Sequence, residues 1–136
     1  MKIESQGVSL ELAREMKELG VPQDSIFAWF QYKNLKPYVN LKNAQNYCDN
    51  VASFDDGYAE CPKEICDAST VAELGEMLPI GYRSYYYNKH LSGGNWLCND
   101  GEILGVADAK TEVDARAKML IYLIKEGVIK AEEVGK

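Results

Sequence analysis

The chain has 136 residues, of which 46% are hydrophobic and 26% charged, a balance typical of one soluble globular domain. Its 15 Lys and Arg residues and 21 Asp and Glu residues give a net charge of −6, which disfavours direct binding to DNA or RNA backbones. No apolar run approaches the roughly 20 residues of a membrane span, and no apolar signal segment opens the sequence, so we expect a cytoplasmic protein.

The first half of the chain predicts one helix and two strands. The helix covers residues 9–19, with Ser9 as its N-cap and Gly20 just after its end. The aromatic-rich residues 25–32 predict a strand, and residues 35–41 predict a second, where Pro37 indicates a sheet edge. Residues 43–68 are the least regular part, with a turn at 55–57 and a short hairpin over 47–59 as one arrangement.

The second half predicts helix, three strands and helix. Thr70 and Glu73 match a capping box at the start of a short helix. Residues 81–88, 95–99 and 102–107 predict an antiparallel meander, and a long helix follows between the cap Thr111 and Gly127. We therefore predict an α+β fold, an antiparallel sheet with the N-terminal, central short and long C-terminal helices packed mainly on one face. A single domain would cover residues 1–130, and the polar tail 131–136 would fray.

The long helix has apolar residues on two sides. A core stripe runs along one side, and Ala115, Met119 and Tyr122 form a second strip on the opposite side. A helix that covers a sheet should be polar there, so the strip predicts one of two contacts. Either another layer of the same chain covers it, such as the N-terminal helix, or it joins two copies in a symmetric homodimer.

The spacing of the four cysteines argues against a zinc site. Structural zinc sites usually have two tight cysteine pairs, and here only the cysteines of CPKEIC are close in sequence. We expect free thiols, two in a loop and Cys98 in a core strand, with no metal and no cofactor. The residues that a metal would have to recruit are Cys48, Cys61, Cys66 and His90.

Nothing in the sequence spells out a reaction. His90 is the only histidine, and it has no carboxylate or nucleophile partner nearby in sequence. No phosphate-binding glycine loop, HExxH or GxSxG motif occurs. We therefore predict a protein without enzymatic activity.

Two regions are candidates for contacting a partner. One is an acidic segment that could imitate a phosphate backbone in the basic groove of a nuclease, or could simply be a solvated loop. The other is the outer face of an aromatic strand, which could be a recognition surface, or could reflect the preference of tyrosine for strands. The acidic candidates are Asp55, Asp56, Glu60 and Glu64; the strand candidates are Arg83, Tyr85 and Tyr87.

The segments VSLELAREMKELGVPQDS, AELGEMLP and EVDARAKMLIYLIKEG resemble a group of small uncharacterised proteins of phages, prophages and other mobile elements. This resemblance implies an accessory protein of a mobile element inside a bacterial host. With the acidic charge, it leads us to expect a protein-binding inhibitor of a host-defence nuclease, similar to anti-CRISPR proteins. The alternative is a small-molecule or nucleotide-binding module that uses the aromatic sheet face.

Overall fold

The computed structural model describes residues 6–42, 62–88, 94–101 and 107–134. These ranges contain three α-helices, six β-strands and a short 3-10 helix. The helices are α1 (Leu10–Glu18), α2 (Val71–Met77) and α3 (Glu112–Lys125), and the 3-10 helix is Ala131–Glu133. The strands are β1 (Phe27–Gln31), β2 (Tyr38–Leu41), β3 (Lys63–Asp67), β4 (Arg83–Asn88), β5 (Gly94–Asn99) and β6 (Asp108–Ala109).

The predicted α+β class is confirmed, but the described strands form two antiparallel sheets where the sequence suggested one. The first sheet has the order β2-β1-β3, so β2, which follows Pro37, lies at an edge as predicted. The second sheet, β4-β5-β6, is the predicted meander. Its third strand lies at Asp108–Ala109, directly after the predicted segment 102–107, most of which (102–106) lies outside the described residues.

Strand β3 lies in the stretch that the sequence presented as irregular. It pairs antiparallel with β1, so Trp29 is opposite Cys66, with a register shift between Trp29 and Phe30. The strand begins with exposed charged residues and only its last two residues are buried, so it lacks the alternation that marks most strands. The predicted hairpin over 47–59 lies outside the described residues.

The ends of α1 are fixed in two different ways. Gly20 has a φ of +94°, and the Val21 N–H donates to the Met16 carbonyl at 3.1 Å, which is the predicted Schellman-type end. At the other end, the Ser9 side chain makes no capping hydrogen bond. The Ser9 backbone N–H donates instead to Asp114 Oδ1 at 2.8 Å, so a residue of α3 holds the start of α1.

The predicted caps of α2 and α3 are confirmed. Thr70 Oγ1 accepts from the Glu73 N–H at 3.3 Å, while Glu73 Oε1 accepts from the Thr70 N–H at 2.9 Å, which completes the capping box. Thr111 Oγ1 accepts from the Asp114 N–H at 3.2 Å. These local hydrogen bonds are readable from sequence because each joins residues three positions apart.

Helix α3 is buried on both of its apolar sides. The stripe residues Val113 and Leu120 are buried, and so are Ala115 and Met119 of the second strip, with Met119 at 0% exposure. Tyr122 is half-buried and packs against the core. Of the two predicted contacts, the structure shows the one within the chain, because α1, α2 and the second sheet pack against α3; Met119 is therefore not accessible to a partner.

The predicted tail does not fray at its start. Residues Ala131–Glu133 form a 3-10 helix, and Ala131 and Val134 are buried in the core. A Cβ placed on Gly20 would lie 3.8 Å from the Ala131 Cβ, so the tail packs against the end of α1. The folded domain therefore continues to Val134, past the predicted boundary at residue 130.

Candidate functional site

Strand β4 is fixed from behind by a hydrogen-bond network with α3. Ser84 Oγ donates to Glu112 Oε1 at 2.6 Å and accepts from Arg116 Nε at 3.0 Å. Arg116 Nη2 donates in turn to Glu112 Oε1 at 3.2 Å, which closes the network. Charge-assisted hydrogen bonds of this kind are stronger than neutral ones, so the middle of β4 is held in one position.

The same Arg116 guanidinium reaches the neighbouring helix α2. Its Nη1 donates to the Val71 carbonyl at 3.3 Å. Space for this contact comes from Gly75, since a Cβ there would lie only 2.3 Å from Nη1. One side chain therefore joins β4, α2 and α3.

The opposite face of β4 carries two of the predicted recognition residues. Arg83 and Tyr85 are both exposed, Tyr85 at 49%, as expected for side chains that alternate with the anchored Ser84. Arg83 forms no salt bridge with any residue in the described ranges. The side chain of the third candidate, Tyr87, lies outside the description.

A cavity of about 500 Å³ lies beside the second sheet, next to the first residues of α2 and α3. Trp96 of β5 forms one wall, and its ring is 5.4 Å from that of Tyr86, tilted by 57°. Val71, Ala72 and Val113 contribute apolar surface, and Lys110 contributes a cationic group. The volume lies in the range of small-molecule sites.

A second concave surface, of about 460 Å³, lies next to the last residues of α2 and α3. Met77 and Ile129 line it, and Ile80 and Val128 lie at it with their side chains exposed. The sequence pattern does not reveal this apolar surface, because both exposed residues follow a helix end where apolar residues often fold back onto the core.

Of the predicted acidic segment, only Glu64 is described. It is exposed on β3, where it pairs with Phe30 of β1. Asp55, Asp56 and Glu60 lie outside the described residues, so their role as partner contacts stays a prediction.

Both described cysteines are buried free thiols. Cys66 lies in β3, not in the loop where the sequence analysis put it, and Cys98 lies in β5 as predicted. Burial raises the pKa of both thiols, that of Cys98 to about 11, so neither is an activated nucleophile. Within the described ranges no group of three metal-binding side chains occurs; Cys48, Cys61 and His90 lie outside them.

Asp67 is the most buried carboxylate of the described part. It holds Ser25, which lies in the connection before β1. Its Oδ1 is 2.5 Å from Lys42 Nζ, and its Oδ2 accepts from the Ser25 N–H at 2.7 Å. Burial raises the pKa of Asp67, and the Lys42 contact opposes that rise. Ser25 Oγ donates to Glu73 Oε1 at 2.9 Å, so this polar cluster joins the first sheet to α2. The cluster is satisfied internally, which favours a structural role.

Comparisons with known proteins add no relative. No family model matches the chain, and neither the search of curated proteins nor that of solved structures found a match. None of the helices in the described part has both the length and the apolar character needed to cross a membrane. The resemblance to mobile-element proteins therefore stays a prediction.

Proposed function

We propose that this protein acts by binding another protein, and that β4 carries the recognition surface. The observation behind this proposal is the exposure of Arg83 and Tyr85 on a strand whose other face is fixed by Ser84. Arginine and tyrosine are enriched among the residues that dominate interface energies. A side chain on a fixed strand also loses less conformational freedom on binding than one on a flexible loop.

The resemblance to phage and mobile-element proteins suggests the setting, a bacterial cytoplasm in which the partner is a host protein. In its most concrete form the proposal is an anti-CRISPR-like inhibitor, which binds a defence nuclease without catalysing a reaction. The net charge of −6 supports this form, because such nucleases hold nucleic acid in basic grooves.

A phage plaquing assay tests this function. Bacteria with active CRISPR immunity should regain sensitivity to a targeted phage when they express the wild-type protein. The variant Arg83→Ala/Tyr85→Ala should lose at least about tenfold of this effect, since truncating two hot-spot residues weakens binding by more than about 1.4 kcal/mol. Lys63→Ala is the matched control, because Lys63 is an exposed charge on the other sheet.

Two results would count against the proposal. If the wild type protects phage from none of the CRISPR types tested, the anti-CRISPR form is wrong. If the double variant protects as well as the wild type and the control, β4 is not the recognition surface.

The cavity beside Trp96 supports a second candidate function, the binding of a small molecule or nucleotide. Its size and apolar walls suit a planar ring, and Lys110 suits a negatively charged group. Titrating a panel of nucleotides against the Trp29→Phe variant would follow Trp96 fluorescence alone, since the chain has two tryptophans. A saturable change in Trp96 fluorescence that Lys110→Ala weakens supports binding in this cavity, and no change across the panel rules out nucleotides.

A further inference from the structure

The four outer strands of the two sheets differ in how their edges are protected. Strand β2 has four residues and follows Pro37, and β6 has only two residues. The edge at β3 is covered by α1, whose Lys17 Nζ donates to the Ile65 carbonyl at 2.7 Å. Short strands, proline and cover by a helix are the usual protections of a sheet edge.

Strand β4 has none of these protections among the described residues, and its only charged side chain is that of Arg83, at its first position. It has six residues and pairs with β5 along its whole length, and it is the outermost strand of its sheet. It contains no proline, and Arg83, Tyr85 and Tyr86 are exposed along it.

The pairing of β5 shows which backbone groups of β4 point outwards. The Cys98 N–H donates to the Ala107 carbonyl at 3.0 Å, so Cys98 directs its backbone groups towards β6. Because these groups alternate along a strand, the neighbouring Leu97 directs its own towards β4, where it is opposite Tyr85. The N–H and C=O of Tyr85 therefore point into the sheet, and those of Ser84 and Tyr86 point to the outer edge.

The side chains next to this edge lie on both faces of the sheet. Tyr85 projects from one face at 49% exposure, and Tyr86 projects from the other at 58%, beside the Trp96 ring. An extended segment added at the edge would alternate its own side chains between these faces. Each face would then offer it an aromatic ring, while the backbone groups of Ser84 and Tyr86 would offer hydrogen bonds.

We propose that β4 binds an extended segment of a partner protein, which adds to the second sheet as a fourth strand. This inference rests on the proposed function and states how that same surface recognises its partner. Main-chain hydrogen bonds would supply affinity, and the two tyrosine rings, which lie on opposite faces, would select apolar side chains at two neighbouring positions of the segment. Arg83, which has no ion pair in the described part, would select an Asp or Glu near one end of the segment.

Hydrogen exchange of the free protein gives the first test. The Tyr85 amide should exchange slowly because it lies within the β4–β5 pairing, whereas the Ser84 and Tyr86 amides should exchange much faster on either side of it. Equal protection of all three amides at every protein concentration would mean that the edge is already closed, and would overturn the proposal.

A displayed library of random peptides of about twelve residues gives the second test, since an added strand needs no folded partner. Selected peptides should carry apolar residues at two neighbouring positions and an acidic residue near one end, and each should slow the exchange of the Ser84 and Tyr86 amides. No binder, or binders that leave these amides unchanged, would overturn the proposal.

Two variants separate the backbone from the side chain. Tyr86→Pro removes an N–H that points away from β5, so the sheet should still fold, and the affinity of the selected peptides should fall about tenfold or more. Tyr86→Ala keeps the N–H and should weaken binding by a smaller factor. Equal losses in the two variants would show that only the ring matters, which contradicts strand addition. If Tyr86→Pro does not fold, the exchange measurements on the wild type still decide.

The outcomes also separate this inference from the function on which it rests. If plaquing depends on Arg83 and Tyr85 but no peptide protects the Tyr86 amide, the function stands and strand addition is wrong. If peptides add at β4 but the protein inhibits no defence system, strand addition stands and the anti-CRISPR-like function is wrong. Protection that appears in the free protein and is lost on dilution would show that a second copy occupies the edge, which also overturns the proposal.

Discussion

At the scale of single residues, Arg116 and Gly75 depend on each other. Arg116 needs the open space at Gly75 to reach the Val71 carbonyl, and glycine costs α2 about 1 kcal/mol of helix stability relative to alanine. The sequence shows only the cost, a glycine inside a seven-residue helix. The reason for it lies 41 residues away in α3, where no local pattern could reveal it.

We predict that Gly75→Ala destabilises the protein by about 1–2 kcal/mol despite the better helix propensity of alanine. The new Cβ forces Nη1 of Arg116 aside and breaks its hydrogen bond to the Val71 carbonyl. In an Arg116→Ala background the same change should instead stabilise by up to about 1 kcal/mol. Urea denaturation of the four proteins measures both effects, and a stabilising Gly75→Ala in the wild type would contradict the account.

A second residue-scale prediction concerns the pH dependence that Asp67 contributes. Burial raises the pKa of Asp67 in the folded state above its ordinary value of 3.8, so the folded state binds its proton more tightly than the unfolded state does. Asp67 therefore contributes stability at low pH that is lost as the pH rises from 3.8 through the folded-state pKa. The wild type should gain stability relative to Asp67→Asn as the pH is lowered through this window.

Chemical denaturation of the wild type and Asp67→Asn at matched pH values measures this difference. Groups that titrate in the same way in both proteins cancel in the difference between their free energies of unfolding. Asp67→Ala is the companion variant, because it also deprives the Ser25 N–H of its acceptor and should be less stable than Asp67→Asn at every pH. A difference between wild type and Asp67→Asn that shrinks towards low pH would reverse the sign and refute the argument.

At the scale of elements, the sequence identified the three helices because their signals are local. The caps Thr70 and Thr111 bind backbone groups within four residues. The helix end at Gly20 likewise depends only on hydrogen bonds within the last turn of α1. Strand β3 has no such signal. It is a strand because β1, more than 30 residues earlier, supplies its hydrogen-bond partners. The sequence KEICD, in which three of five residues are charged, gives no local indication of a strand.

The burial of α3 on both sides gives the element-scale prediction. Met119→Ala should cost about 2–5 kcal/mol, because it leaves a cavity between α3 and the layers that enclose it. Glu126→Gln, at the exposed end of the same helix, should change stability by less than about 0.5 kcal/mol. Thermal denaturation with light scattering measures stability and molecular mass together. A Met119→Ala variant as stable as the wild type, or one that converts a dimer into a monomer, would contradict burial within the chain.

At the scale of the whole molecule, the exposed face of β4 was easier to predict from the sequence than the packing around it. The alternation in GYRSYYYN placed Arg83 and Tyr85 on one face of a strand, and the structure exposes both. The sequence could not show that β4 ends a sheet, since that depends on the positions of the other strands. It also treated residues 131–136 as a free tail, because the contacts of Ala131 and Val134 are with distant parts of the core.

The docked tail provides a prediction at this scale. A chain that ends after Lys130 should lose about 2 kcal/mol or more, since removing Val134 and Ala131 exposes the apolar surface that they cover. A chain that ends after Val134 should match the full-length protein. Denaturant midpoints of the three proteins decide the matter, and equal midpoints would restore the boundary at residue 130.

The hydrogen bond from Ser9 to Asp114 and the ion pair of Glu15 with Lys125 join residues 105 and 110 positions apart. A ribosome adds about 5–20 residues per second, so the partner residues in α3 are synthesised about 5–20 s after α1. A nine-residue helix is too short to persist alone in water, so during that interval α1 depends on segments already made, such as β3, whose Ile65 carbonyl accepts from Lys17 Nζ. The contacts that join α1 to α3 therefore close the fold late, after every strand of both sheets has been synthesised.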